Sequence, residues 1–145
     1  MTNILVLNGP NLNLLGEREP GIYGRISLAE IDKGLKKLAK SLNVSLRSYQ
    51  RNGEGELLDI LHKQRNWADG LIINPAAYTH TSIALRDGIA AVALPAIEVH
   101  ISDIRKREGF RKKSFVRDVC VGRVMGKGPD GYGEALRLLL KKIRP

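Results

Sequence analysis

The sequence predicts a three-layer α/β domain, a five-stranded parallel sheet of order 2-1-3-4-5 with helices on both faces. Three observations predict it. Short apolar runs alternate with stretches of helical periodicity five times along the 145 residues. One run, 70-GLIIN-74, is continuously apolar, the mark of a strand covered on both faces. The clusters of Asn, Gly, His and charged residues come after these runs, where strand carboxyl ends would bind a ligand. Parallel neighbours joined by right-handed crossovers then give a doubly wound, flavodoxin-like arrangement.

Residues 3–8 read as the first strand, followed by the long loop 8-NGPNLNLLGEREPGIYGR-25. Ser27 with Glu30 three residues on forms a capping-box pattern. Leu28, Ile31, Leu35, Leu38 and Leu42 then fall at helical spacing. Residues 44–49 read as a second strand, and 54–66 as a helix with Leu57, Ile60 and Leu61 inward. After the strand 70–74, a helix is expected from about Thr81 to Ala90. Residues 92–100 and 118–124 read as two further strands, with a short helix near 103–109 between them, and 132–143 as a final helix. No repeat, linker or low-complexity segment divides the chain, so residues 1–145 are expected to form one domain. The run 126-GKGPDG-131 matches G-x-G-x-x-G between a strand and a helix. A dinucleotide site wants a further strand and an acidic residue about 20 positions on, which this chain does not supply, so a tight turn is the better reading.

A chain of this size buries a substantial core. No apolar run approaches the roughly 20 residues that span a membrane. The N-terminus opens on strand-like residues rather than a secretory signal pattern. The lone Cys120, in DVCVGRV, reads as core packing, and a single cysteine implies no disulfide framework, which fits a reducing cytoplasm. The net charge of +9 suits an anionic small substrate drawn in by the protein's field. The lysines of KGLKKLAK and LLLKKIRP read as solvated helix faces. With two Phe and one Trp there is little aromatic interleaving to stack bases, so neither nucleic acid nor membrane is the expected partner.

Two of the three histidines and a buried-type glutamate fall on the expected ligand rim. Glu98 and His100 are two apart on a strand and so point to one face. A carboxylate beside an imidazole fixes its tautomer and raises its basicity, which suits a general acid near neutral pH; the bland alternative is a satisfied buried pair. His80, in THTS, reads as a hydrogen-bonding residue or as an ordinary neighbour of a helix cap. His62, in LHKQRN, reads as surface. Tyrosine, with a pKa of about 10, is a poor base at pH 7. A nearby cation lowers that value, and Arg18 and Tyr23 share the first loop. Loops of such length in compact domains are often lids.

Taken together, LNGPNLNLLGEREPGIYG, NGEGEL, INPAAYTHTSIALRDGI, EVHISDIRKREGFRKKS and GYGEAL resemble the type II 3-dehydroquinate dehydratase family, from residue 4 to about 140. The resemblance implies a flavodoxin-like fold, trimers packed into dodecamers, and cofactor-free, metal-free removal of water from 3-dehydroquinate. It implies Tyr23 as the base, Arg18 as the cation favouring its phenolate, an enolate held through water near Asn11, and His100 as the acid oriented by Glu98. It further implies that the backbone amides of Ile101 and Ser102, at a helix start, hold the substrate carboxylate. Asn74, His80 and Arg111 match residues that bind ring hydroxyls, and Asp87 one that reaches a neighbouring subunit's site. Arg107 matches a further family arginine, and the loop at about 17–25 would be the lid. The pathway is biosynthesis of aromatic compounds or, with the same chemistry, quinate breakdown.

The chain departs from the family at Arg51, Ala76, Asp103 and Gly109, where Ser, Gly, Asn and Glu are common. None of these removes a catalytic group, and Arg51 and Asp103 are expected near the site. Three rival readings start from the same residues. His80, Glu98 and His100 make a legitimate zinc set, although a helical H-E-x-x-H is missing. Fold and charge also suit a nucleotide- or RNA-binding module. A Schiff-base dehydratase would need a lysine in an apolar strand, and there is none.

Overall fold

A computed structural model describes residues 1–17, 21 and 25–144. They form the strands β1 (Thr2–Asn8), β2 (Val44–Gln50), β3 (Gly70–Asn74), β4 (Ala96–His100) and β5 (Gly122–Met125) and the helices α1 (Leu28–Ser41), α2 (Glu54–Gln64), α3 (Ile83–Val92) and α4 (Gly131–Ile143). The sheet is parallel throughout, in the order β2-β1-β3-β4-β5. The expected order is therefore the observed one, and the chain reverses its direction of growth at β1 and β3.

Alternation along the strands divides the interior. Ile4 and Val6 of β1, Ile72 of β3 and Ile97 and Val99 of β4 pack on Ile31 and Leu35 of α1 and Leu136 and Leu139 of α4. Leu5, Leu7, Leu71, Ile73 and Ala96 face the other way, onto Leu57 and Leu61 of α2 and Leu85 and Ile89 of α3. The expected capping box is present: Ser27 accepts from the Glu30 N–H at 3.1 Å, and the Glu30 carboxylate accepts in return from the Ser27 N–H. The lysines at 33, 36, 37, 40, 141 and 142 are exposed, and so is His62.

Several boundaries differ from expectation. The apolar run 92–95 is not strand: α3 continues through Val92, Ala93 ends it in the left-handed region at φ 56°, and β4 starts after Pro95. Helix α3 itself starts only after Ser82, whose hydroxyl caps the Leu85 N–H at 2.9 Å. Residues 117–119 form a 3-10 turn, and β5 begins at Gly122. Cys120 is thus buried beneath the sheet edge rather than in a strand. The short helix near 103–109 is replaced by two 3-10 turns, Ile104–Lys106 and Gly109–Arg111. There the Asp103 carboxylate accepts from the Arg105 backbone N–H at 3.0 Å, a local bond that competes with helix. The 126–131 segment is the expected tight turn, with Gly126 and Gly128 at φ 76° and 61°.

The carboxyl end of the sheet is polar, and its two asparagines are buried. Asn8 and Asn74 are 4% and 3% exposed and sit side by side at the ends of β1 and β3. Tyr132, buried at the start of α4, joins them. Its hydroxyl donates to Asn8 Oδ1 at 2.6 Å and accepts from Asn74 Nδ2 at 2.9 Å. Burial pushes the phenol well above its ordinary pKa, so it stays a donor. An unpaired buried acceptor costs about 1–3 kcal/mol, so Tyr132→Phe is expected to lower stability by about that amount. Urea unfolding should show a lower midpoint with an unchanged slope.

Candidate active site

A cleft opens where the sheet order reverses, outside the carboxyl ends of β1, β3 and β4. The loop after β1 contributes Asn11, Leu12 and Leu15. The end of β3 and the turn after it contribute Asn74, Ala76 and His80. The end of β4 and the segment beyond it contribute His100, Ile101, Ser102, Arg107 and Arg111. The first two loops meet closely. Gly9 donates its N–H to the Asn74 carbonyl at 2.8 Å, and a Cβ there would lie 2.4 Å from the Pro75 carbonyl oxygen, so only glycine permits the approach. Asn11 takes the left-handed conformation, φ 69°, which asparagine tolerates, and its N–H donates to Asn52 Oδ1 at 3.0 Å.

Glu98 and His100 face the same side of β4, as the period of two requires. His100 Nε2 stands 2.5 Å from Glu98 Oε2, and the residues are 5% and 0% exposed. The carboxylate accepts a hydrogen bond from Nε2–H, which leaves Nδ1 as the ring nitrogen available to the cleft. The same oxygen, Oε2, also accepts from Thr79 Oγ1 at 2.8 Å and Ser114 Oγ at 2.7 Å. Burial alone would raise the Glu98 pKa; the bond and charge of His100 and the two hydroxyls outweigh it and hold the carboxyl below its ordinary value.

His80 Nδ1 lies 2.7 Å from the Lys113 carbonyl and therefore donates to it. Nε2 is left as an acceptor, and burial lowers the ring's pKa, keeping it neutral. A neutral acceptor at this position suits a ligand hydroxyl. Asn74 is fixed on both sides, since its Oδ1 accepts from the Ala76 N–H at 3.0 Å while Nδ2 holds Tyr132. Arg107 Nη1 donates to Ser102 Oγ at 3.3 Å, and Arg111 is held by an ion pair with Glu108 at 3.0 Å. These two arginines give the cleft a cationic wall.

The structure therefore brings together Asn11, Asn74, His80, His100, Ile101, Ser102, Arg107 and Arg111, with Glu98 directly behind His100. Asp87 is elsewhere: it is exposed on α3 and does not line this cleft. Arg18 and Tyr23 lie outside the described residues, as does most of the expected lid at 17–25. No helix starts at Ile101 and Ser102; they form a bend ahead of the turn that begins at Ile104. Among the described residues, no group of three or more His, Cys, Asp or Glu side chains is placed to hold a metal ion. None of them forms a helix long and apolar enough to cross a membrane.

The departures also find their places. Ala76 has φ 53°, a left-handed conformation in which glycine is unstrained, so the family's usual residue there has a backbone reason. Arg51 is exposed and donates to the Gln50 carbonyl, away from the cleft lining. Asp103 is paired with Arg105, whose hydrogen bonds hold its carboxyl at about 2; it flanks the lining without joining it. Thr79, Ser114, Asn52 and Tyr132 lie within THTS, RKKS, NGEGEL and GYGEAL, but no local pattern in the sequence assigns them partners.

The sign of the Glu98 shift sets a pH dependence. A depressed carboxyl stabilises the fold above its unfolded value of about 4.3 and loses that contribution as pH falls through the folded value. Wild type is therefore expected to be more stable than Glu98→Gln at pH 7, with the gap narrowing steadily below pH 5. Thermal unfolding of both proteins between pH 7 and pH 3 checks this.

The chain matches known proteins over nearly its whole length. The family described as dehydroquinase class II matches residues 2–140. A "3-dehydroquinate dehydratase" of Carboxydothermus hydrogenoformans is 52% identical over 141 residues, covering 97% of this chain and 92% of that protein. The protein of the same name from Bordetella pertussis is 56% identical over 137 residues, covering 92% and 94%. The crystal structure of a type II dehydroquinase from Butyrivibrio crossotus superposes with a TM-score of 0.93 at 44% identity, covering 95% of this chain and 97% of that one. By sequence, sheet order and a match over nearly its whole length, this chain belongs to the class II dehydroquinase family, whose members are hydro-lyases.

Proposed function

We propose that this chain removes water from 3-dehydroquinate to give 3-dehydroshikimate, by an anti elimination through an enolate, with no metal or cofactor. The observation that carries the reading is the buried Glu98–His100 pair at the cleft. Tyr23, as phenolate beside Arg18, takes the proton from the carbon next to the ketone. The electron pair passes to the carbonyl oxygen, and the enolate is stabilised through a water held near Asn11. The enolate then re-forms the ketone, its carbon–carbon electron pair makes the new ring double bond as the carbon–oxygen bond breaks, and the hydroxyl leaves as water with the proton from His100 Nδ1. Glu98 supplies the counter-charge that lets His100 carry that proton.

Substrate binding uses the same cleft. The backbone amides of Ile101 and Ser102, in their bend, take the carboxylate by charge-assisted hydrogen bonds, beside Arg107. Asn74, His80 and Arg111 take the ring hydroxyls, with neutral His80 accepting through Nε2. Residues 17–25 act as the lid, delivering Tyr23 and Arg18. Asp87, exposed and outside its own cleft, supports an assembly in which it reaches a neighbouring subunit's site, a trimer packed into a dodecamer. The lone Cys120, its thiol pushed up to about 12 by burial and inert, suits a reducing cytoplasm. The enzyme serves the shikimate pathway, the same reaction also serving quinate breakdown.

The direct test is absorbance of the conjugated enone product when purified protein meets 3-dehydroquinate, with and without chelator. A chelator-insensitive rise is expected, and no rise from folded protein overturns the reading. Tyr23→Phe is expected to lower kcat by roughly 10²- to 10⁴-fold, with substrate affinity by calorimetry little changed. Asp87→Ala should weaken binding roughly tenfold, the loss of about one charged hydrogen bond. The measurement requires protein whose assembly matches wild type by sedimentation.

A further inference from the structure

The acid half of the site rests on a contact that the proposed roles leave unassigned. Ser114 lies on a loop far from β4 in sequence, yet its hydroxyl is 2.7 Å from Glu98 Oε2 and 2.9 Å from Thr79 Oγ1. Thr79, fully buried, is itself 2.8 Å from Glu98 Oε2. The two hydroxyls carry two protons for three oxygen–oxygen contacts. Either both donate to the carboxylate, or one donates to it and the other donates to its neighbour. In each arrangement Glu98 keeps at least one hydroxyl donor besides His100. Glu98 Oε1 accepts from none of the described residues, so the carboxylate's protein donors converge on the oxygen that faces His100.

The loop is fixed to hold this geometry. On one side of Ser114 the Lys113 carbonyl accepts from His80, and on the other the Phe115 N–H donates to the Thr79 carbonyl at 2.8 Å. Arg86 Nη1 also donates to the Phe115 carbonyl at 2.8 Å. These bonds set the Ser114 backbone independently of its hydroxyl. The hydroxyl is therefore not needed to place the loop.

We propose that Ser114, together with Thr79, is a positioning residue for the general acid: it keeps Glu98 ionised and aimed at His100 Nε2, and so holds the proton on His100 for the cleft. The inference rests on the reading of His100 as the acid. A carboxylate that accepts hydrogen bonds keeps its charge to lower pH, and removing a donor raises the pH at which it protonates. Neutral Glu98 no longer supports the imidazolium, so kcat falls on the acid side. The other groups around Glu98 do not reverse this sign. Cys120, packed on the same face, stays a neutral thiol; His80 is neutral; Arg111 is a fixed cation.

The test is the pH profile of kcat for Ser114→Ala, Thr79→Val, the double variant and Ser114→Thr. Ser114 is only partly buried, so both its substitutions fit, and Thr79→Val keeps shape. Each single variant should lose about 3- to 10-fold in kcat, the effect of one charged hydrogen bond. KM should stay within about twofold, and the acid limb should move to higher pH. The double variant should move it further, and Ser114→Thr should restore it. If the folded single and double variants keep the wild-type limb, the proposal falls. It falls equally if kcat and KM decline together with the limb unmoved, which is loss of packing alone. Wild-type protein without dehydratase activity would instead overturn the functional reading itself.

Discussion

A carboxylate removed from water must be met by donors, and Glu98 imposes that requirement on one whole side of the cleft. The donors come from three separate segments: the turn after β3, β4 itself and the loop at 113–115. One oxygen atom therefore gathers donors from three pieces of chain, and backbone bonds at Lys113 and Phe115 hold the third piece in reach. Those pieces carry His80, His100 and, one turn earlier, Arg111. The contacts that lower the energetic cost of the buried charge therefore lie beside the backbone bonds that position the cleft-lining side chains.

The opposite side of the cleft solves a similar problem with neutral groups. Alternation puts Asn8 and Asn74 on the α1/α4 face, where Tyr132 bridges them, and Glu98 and His100 on the α2/α3 face. The cleft thus lies between two buried polar networks, one built on amides and a phenol, the other on a carboxylate and an imidazole. The first holds a neutral hydrogen-bonding surface. The second holds an ionisable pair. The sheet separates the two networks, the ionisable pair on one face and the neutral groups on the other.

Much of this was legible in the sequence because it is periodic. The strand order came from the alternation of runs, and the pairing of Glu98 with His100 from a spacing of two on a strand. Boundaries failed where apolar residues served packing without periodic structure. Val92 ends a helix rather than starting a strand, and Cys120 fills space beside β5 without belonging to it. The partners of the site residues were not legible, because hydrogen bonds such as Glu98–Ser114 and Asn8–Tyr132 link positions 16 and 124 apart. No local pattern encodes such a pairing. Ala76 is an intermediate case: its departure from the family was visible in the letters, but its left-handed backbone was visible only in three dimensions.

The reach of Tyr132 also bears on how the molecule is made. A ribosome delivers β1 first, and Asn8 then waits for a hydroxyl carried on the last helix. Until that helix emerges and docks, the amides at the ends of β1 and β3 lack the phenol that bridges them, and α4's share of the first core is missing. The binding cleft is consequently among the last features to mature during synthesis. A nascent chain halted before residue 131 would have all five strands and still lack a finished site.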